Sequence, residues 1–383
     1  GLDFNTFTKQ GDYLNLGSYD EMNNIVGRVC DDINKYNPYI LGFSIIDGNI
    51  DSTLYLAKQI KNRFKNIEII LGGKGTDLLL GGIMPARYEN NTYRYDYREW
   101  DFVDYIVYGD GELPLYQLFT TKRTVKELSK IKGLIFRLNN KWNGWKSPRL
   151  TFDGENEKYS KLDFSKMPIP DYSDFRGVAA FEKIHGGTIP ITLSRGCPFK
   201  CSFCSIPTVV ENFNYRDIDG QSGCIAELEQ WYNRGNRDFF FQDSIINFRP
   251  DWLVELCETI IAKNWDPIHW GGNMRLMKPM RDYDTLKLYH KAGLWQMITG
   301  LESAAPKVLR HMKKYSSIEG IREIFDNIRK INNNREAGEM PMRVFLQLIG
   351  GYINESEEDF QMTVDFVKEY SDVIYQITSY SVF

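Results

Sequence analysis

Twice along this chain, strand-length apolar runs alternate with stretches whose apolar residues recur at helical spacing. That alternation constrains the fold more than any other feature, because parallel strands need a crossover and the crossover is normally a helix. In the first stretch, a Ser18–Glu21 capping-box pair precedes Met22, Ile25, Val26, Val29, Ile33 and Tyr36 at helical spacing. A strand at 39–46 follows, then a helix through Leu54, Ala57, Ile60 and Phe64. Strands at 67–71 and 102–107 end in Gly72-Gly73 and Gly109-Asp110-Gly111-Glu112. Glycines directly after strands mark the carboxyl edge of a parallel sheet, where open α/β folds bind ligands. The opening Gly1-Leu2-Asp3-Phe4-Asn5 reads as the end of a strand with no unit before it, so a first βα unit is expected upstream.

From about 133 to 175 the pattern is less regular, with a hairpin (134–138 and 141–145) and the linker Met167-Pro168-Ile169-Pro170-Asp171. Beyond it, strands are expected at 189–193, 238–241, 268–273, 296–299, 344–348 and 374–379. Helices are expected at 225–232, 252–261, 283–290, 318–331 and 357–370. The organisation expected is therefore a Rossmann-like, flavodoxin-type α/β domain over 1–130 and a hairpin and linker over 131–180. A partial (β/α)6 TIM-like barrel takes 181–383, with a C-terminal extension expected beyond its sixth strand.

A net charge of −4 and a pI near 5.8 argue against a nucleic-acid surface, which needs clustered Lys and Arg. No apolar run has the length of a membrane span and no secretory signal pattern opens the chain, so a cytoplasmic protein is expected. Of six cysteines, Cys30, Cys224 and Cys257 are scattered through helical patterns and read as small buried apolar residues. The other three fall in Ser194-Arg195-Gly196-Cys197-Pro198-Phe199-Lys200-Cys201-Ser202-Phe203-Cys204, directly after the first barrel strand. Thiolates are the soft ligands iron–sulfur clusters prefer. Cys197, Cys201 and Cys204 would hold three irons of a [4Fe–4S] cluster from one loop and leave the fourth open, since no further cysteine lies nearby. The alternative is a structural zinc site completed by His185, although zinc loops more often use paired Cys-x-x-Cys units.

The Cys-x-x-x-Cys-x-x-Cys spacing, with Phe203 before the last cysteine, resembles the signature of the radical S-adenosylmethionine (SAM) superfamily, whose fold is a partial βα barrel. The resemblance implies that the open iron chelates SAM and that its reductive cleavage gives a 5′-deoxyadenosyl radical. It also implies SAM contacts at later strand ends. Asp243, in Gln242-Asp243-Ser244, stands where relatives carry Gly-Gly-Glu for the SAM amino group. Arg275 follows the third strand and would pair with the carboxylate through its planar fork. Glu302 and Ser303 match a Gly-x-Glu-Ser motif, and Gly350 ends the fifth strand, where relatives often read Gly-x-Pro beside the adenine and Tyr352 breaks the pattern. The bland alternatives are a surface ion pair for Arg275 and a helix-capping acid for Glu302.

The first stretch resembles the cobalamin-binding domain that precedes many radical SAM barrels. That resemblance assigns Ser44, Gly72, Gly73, Gly109 and Glu112 to cobalamin, with Gly72 and Gly73 letting backbone approach the nucleotide tail. The alternative is a Rossmann-like scaffold without a cofactor. No histidine precedes His185, so a histidine ligand to cobalt from this domain is excluded. Segment 93–100 reads as a half-buried loop or as a lid over the cofactor, and the acidic run 355–359 as a helix start that complements the dipole. The architecture implies a cobalamin-dependent methyltransferase acting on an unactivated carbon, with a flavodoxin or ferredoxin as electron donor and a small-molecule or peptide substrate. Its alternatives are a radical rearrangement, cyclisation or oxidation without methyl transfer, or a non-catalytic metal-binding scaffold.

Overall fold

The computed structural model describes residues 19–46, 49–73, 75–76, 100–144, 164, 167–171, 187–204, 206, 213–314 and 317–381. The opening residues 1–5, the Ser18–Glu21 pair, segment 93–99 and His185 lie outside the described residues. The chain divides into two compact units, Gly1–Leu162 and Asp163–Phe383.

In the N-terminal unit, α1 (Tyr19–Tyr36) leads into β1 (Ile40–Ser44), α2 (Ile50–Arg63), β2 (Glu68–Gly72), β3 (Tyr105–Val107) and α3 (Glu112–Thr120). A short α4 (Val125–Leu128) follows, capped by the Thr124 side chain. Strands β1, β2 and β3 pair in parallel in that order. Successive strand residues are buried on opposite faces. Ile69, Leu71 and Ile106 join one apolar cluster with Trp100 and Val103, while Ile70, Tyr105 and Val107 join another with Leu118 and Leu128. Burial on both faces is what a parallel sheet demands.

The hairpin is β4 (Leu134–Leu138) and β5 (Lys141–Gly144), turned by Asn139 and Asn140, both at positive φ (51° and 59°), as a tight two-residue turn requires. It pairs antiparallel with β3 and so forms the edge of this sheet. Hairpin patterning reads its own turn but not its long-range partner, which is why the sequence grouped it with the linker.

In the C-terminal unit, six parallel strands wind in sequence order: β6 (Ile189–Ile191), β9 (Asp238–Phe241), β10 (His269–Asn273), β11 (Leu294–Glu302), β12 (Arg343–Gly350) and β13 (Ile374–Ser381). A short antiparallel pair, β7 (Ser194–Arg195) and β8 (Asn214–Tyr215), stands apart. Between the strands run α5 (Cys224–Asn233), α6 (Pro250–Ala262), α7 (Tyr283–Lys291), α8 (Pro306–His311), α9 (Ile318–Asn333) and α10 (Glu357–Glu369). One core joins strands and helices. Phe325 on α9 is fully buried against Phe366 and Tyr370, and its truncation to Ala would cost about 3–5 kcal/mol.

All six barrel strands lie where the sequence puts them, but β6 stops at Ile191 rather than 193. There the backbone N–H groups of Leu193 and Ser194 leave the sheet and donate to Asp243. The acidic run 355–359 does begin a helix, through a full Ser356–Asp359 capping box. Cys224 and Cys257 are fully buried, and burial pushes both thiols up, which leaves them inert.

Candidate functional site

The cysteine loop leaves the carboxyl end of β6 and is closed at its stem by β7 and β8, with Ser194 opposite Tyr215 and Arg195 opposite Asn214. Two buried polar side chains fix that stem. Asp243, 1% exposed at the end of β9, accepts from Leu193 N at 3.1 Å, from Ser194 Oγ at 2.5 Å and from Ser194 N. Arg216, beyond β8, donates to Thr192 O at 3.3 Å and to Ser222 O, and pairs with buried Glu227. Gly196, at φ 84°, turns the chain into Cys197 as few other residues could.

The three loop thiols are free and half-buried. Burial pushes the Cys197 thiol up; the Phe199 backbone N–H pulls it down, while the charges of Cys204 and Cys201 push it further up. Three thiols that feel one another's charge are held together as thiolates only by a strongly positive centre. Among the described residues, no three His, Cys, Asp or Glu side chains gather round one point as ligands for a single ion. Three thiols on one loop, each able as a thiolate to take its own iron, are a donor set that fits a cluster.

The following strand ends carry the other charged groups. Arg275, after β10, has its backbone clamped by Asn247, while its Nη1 donates to Cys201 Sγ at 3.2 Å and its guanidinium lies 4.3 Å from the Phe199 ring centroid. It is therefore no surface ion pair. A register shift between Gly300 and Glu302 puts a bulge at the end of β11 and leaves Glu302 at φ 64°. Bulges re-aim side chains, and here Glu302 turns into the protein to meet Lys314 Nζ at 2.7 Å, both side chains under 10% exposed. Lys314 in turn lies 5.9 Å from the Phe203 ring centroid. Glu302 is thus half of a buried ion pair rather than a helix cap.

Two residues read from the motifs have other duties here. Asp243 uses both carboxylate oxygens on the loop stem. Ser303 is fully buried, its Oγ accepting from Ala305 N at 3.2 Å and bonding Thr363 Oγ1 at 3.3 Å, which secures the start of α8. Gly350, at the end of β12, is open, the nearest atom to an added Cβ being Phe360 Cε2 at 3.6 Å. Lys314, Asn247 and Arg216 carry no local motif, and sequence reading missed them. A cavity of about 520 Å³ lies at the amino ends of β10 and β11, lined by Trp265, His269, His290 and Trp295, and so at the opposite end from the cysteines.

In the N-terminal unit, Ser44, Gly72, Gly73, Gly109 and Glu112 stand at the carboxyl ends of β1, β2 and β3. Asn49 closes the turn after β1 by donating to Ser44 O at 3.2 Å and accepting from Ile46 N at 2.8 Å. Gly73 (φ 94°) has no room for a Cβ, which would sit 2.6 Å from Ile45 O and 2.9 Å from Ser44 Oγ. Its glycine is explained by the chain's own packing. Gly72 is different: an added Cβ would find nothing nearer than Val107 O at 3.8 Å.

Residues 191–367 match the model of the Radical SAM superfamily. The bacteriochlorophyllide d C-12(1)-methyltransferase of Chlorobaculum tepidum is 29% identical over 207 residues, 53% of this chain and 42% of that protein. The anaerobic magnesium-protoporphyrin IX monomethyl ester cyclase of Cereibacter sphaeroides is 27% identical over 297 residues, 74% of this chain and 43% of that protein. The chain thus spans less than half the length of these two curated relatives. Among solved structures, TsrM from Kitasatospora setae, a radical SAM methyltransferase, superposes with a TM-score of 0.67 at 15% identity, covering 92% of this chain and 64% of that one. A second structure of TsrM has cobalamin and a [4Fe–4S] cluster bound. These likenesses show the fold: a Rossmann-like unit and a TIM-like partial barrel. Among the described residues, no helix is long and apolar enough to cross a membrane.

Proposed function

From a chain whose residues 191–367 match the model of the Radical SAM superfamily, we propose an enzyme that cleaves SAM reductively and, with cobalamin, methylates an unactivated carbon. The observation that carries the reading is the loop of Cys197, Cys201 and Cys204 at the carboxyl end of β6, with Arg275 and Glu302 at the ends of β10 and β11. When bound there, a [4Fe–4S] cluster supplies the electron that splits SAM into methionine and a 5′-deoxyadenosyl radical.

The protein's part is positioning. Asp243 and Arg216 hold the loop stem, so the three thiols are presented from a fixed base. Arg275, already at Cys201, offers its fork to the SAM carboxylate. Glu302 offers an acceptor for the amino group and Lys314 balances its charge. Gly350 leaves the end of β12 clear for a flat ring, and Phe203, between the last two cysteine positions, would stand beside a bound cluster.

Cobalamin is assigned to the carboxyl edge of the N-terminal sheet, supported by the shared fold with a protein whose structure holds it. It would be the methyl carrier. Ser44, Gly109 and Glu112 offer polar contacts there and Gly72 an open approach, with no imidazole for cobalt from residues 1–184. A second reading is favoured by one relative, whose name is that of a cyclase: radical ring closure with the same parts and no net methylation. The electron donor is taken to be a flavodoxin or ferredoxin, and the substrate a small molecule or peptide.

The test is anaerobic reconstitution with iron and sulfide. Wild-type protein should turn brown and release 5′-deoxyadenosine from SAM once reduced. Replacing all three cysteines with Ala should abolish both colour and product. A colourless wild type that takes up zinc and leaves SAM intact would sink the radical reading. Failure of the full chain to bind cobalamin would remove methyl transfer and leave SAM cleavage standing.

A further inference from the structure

The dipeptide between the last two cysteines, Ser202-Phe203, is tied down from two directions. Ser202 N donates to Met312 O at 3.0 Å, and Ser202 Oγ lies 3.1 Å from His311 O. Both acceptors are carbonyls at the carboxyl end of α8, among the groups that a helix end leaves without an intrahelical partner. The cysteine loop therefore caps that helix.

The second direction is Tyr352, two residues past the end of β12, the position that breaks the Gly-x-Pro pattern. Its ring packs on the apolar cluster of Ala305, Val308, Met312 and Ile349 and meets the His311 ring edge-on, centroids 5.8 Å apart. Its hydroxyl lies 3.0 Å from Ser202 Oγ. Ser202 has one O–H, and the His311 carbonyl can only accept it. The direction follows: Tyr352 O–H donates to Ser202 Oγ, and Ser202 O–H donates to His311 O. A proline at 352 would have neither the ring contact nor the donor.

We propose that Tyr352 is a positioning residue for the cluster. It locks Ser202 onto the end of α8, fixes the spacing between Cys201 and Cys204, and links the end of the fifth strand to the cluster loop. The proposal rests on the reading of the three cysteines as cluster ligands. Because the contact joins the strand end beside the SAM site to the loop that binds the iron, its loss should change how the cluster responds to SAM as well as how tightly it is held.

The experiment compares wild type, Tyr352→Phe, Ser202→Ala and the double variant, all full-length and reconstituted anaerobically. Each single variant keeps three thiols and should load iron as the wild type does. One neutral hydrogen bond corresponds to about fivefold in an equilibrium, so each should lose iron to a chelator about fivefold faster. The double variant should match Ser202→Ala, because both changes break the same relay. The paramagnetic resonance spectrum of the reduced cluster should shift less on SAM addition in all three than in the wild type, a response that a merely structural side chain would leave alone. Variants that lose iron and respond to SAM like the wild type would overturn the proposal, as would a double variant whose effect is the product of the singles. A wild type that binds no iron would fail the cluster reading itself, an outcome distinct from the other two.

Discussion

At the end of β2 in the N-terminal unit, a Cβ on Gly73 would lie 2.6 Å from the Ile45 carbonyl; at the end of β11 in the C-terminal unit, one on Gly300 would lie 1.9 Å from Glu302 Oε1 and 2.6 Å from Lys314 Nζ. The first glycine admits backbone and the second admits a buried ion pair. Both stand at carboxyl strand ends, where α/β proteins put their ligands. The difference is in what fills the space. The N-terminal edge is shaped mainly by main chain, whereas the barrel edge is built from charged side chains that hold one another and the cysteine loop.

The largest effect should come from breaking the pair that Gly300 makes room for. Glu302→Gln leaves Lys314 buried without its partner, and removing one half of such a pair costs about 3–5 kcal/mol. Denaturant unfolding of the metal-free protein would measure it. Lys314→Met should cost a similar amount, while the double Glu302→Gln/Lys314→Met recovers most of the stability. SAM binding should not recover with it, because the carboxylate charge that would meet the amino group is gone. A double variant that binds SAM normally would reduce Glu302 to a structural role and erase the contrast between the two edges.

Between pH 5 and 7, Asp243 gives a smaller effect with a sign that can be worked out. Burial is the main influence and raises its carboxyl from the ordinary 3.8 to about 7, against the Ser194 and Leu193 donors that pull it down. The folded state therefore binds this proton more tightly than the unfolded state. The stability linked to it is fully present below about pH 4 and is lost as pH rises to about 7, with a slope of up to about 1.4 kcal/mol per pH unit. Above that the contribution is flat. Asp243→Asn should remove this slope, so the wild-type-minus-variant difference in unfolding free energy should fall between pH 5 and 7. An unchanged slope would mean that Asp243 is ionised throughout and that the loop stem is held by a full charge.

These residues also mark how far the sequence could be read. Cys197, Cys201 and Cys204 were legible as a group because their pattern is local: three thiols in eight residues. The six strands were legible because apolar runs and intervening helical spacing repeat at every unit. Lys314 was not. It sits in a Lys-Lys pair after α8, and nothing nearby says that its ammonium reaches a carboxylate twelve residues back. Asp243 was correctly placed at a strand end, yet its partners, the Leu193 and Ser194 N–H groups and the Ser194 hydroxyl, lie some fifty residues away, which no motif encodes. The partners of Ser303 were hidden for the same reason: motif position could not show that its hydroxyl faces Thr363. Spacing reveals ligands on one loop, whereas long-range pairing decides which side chains remain free to meet a ligand.

The smallest effects separate the two glycines at the N-terminal edge. Gly73→Ala forces a left-handed φ on a residue with a Cβ and drives it against Ile45 O, so it should cost about 1–3 kcal/mol. Gly72→Ala meets only Val107 O at 3.8 Å, lies within a strand and should change stability by less than about 1 kcal/mol, in the stabilising direction. A strand would ordinarily gain from a side chain there. Among the described residues, packing gives no reason for glycine at 72, whereas a ligand resting against the strand end would. Gly72→Ala should therefore fold as well as the wild type and bind cobalamin more weakly, measured by titrating the corrin absorbance. Equal affinity would leave Gly72 without a role and make the N-terminal edge a scaffold, whose glycines serve the chain and no cofactor.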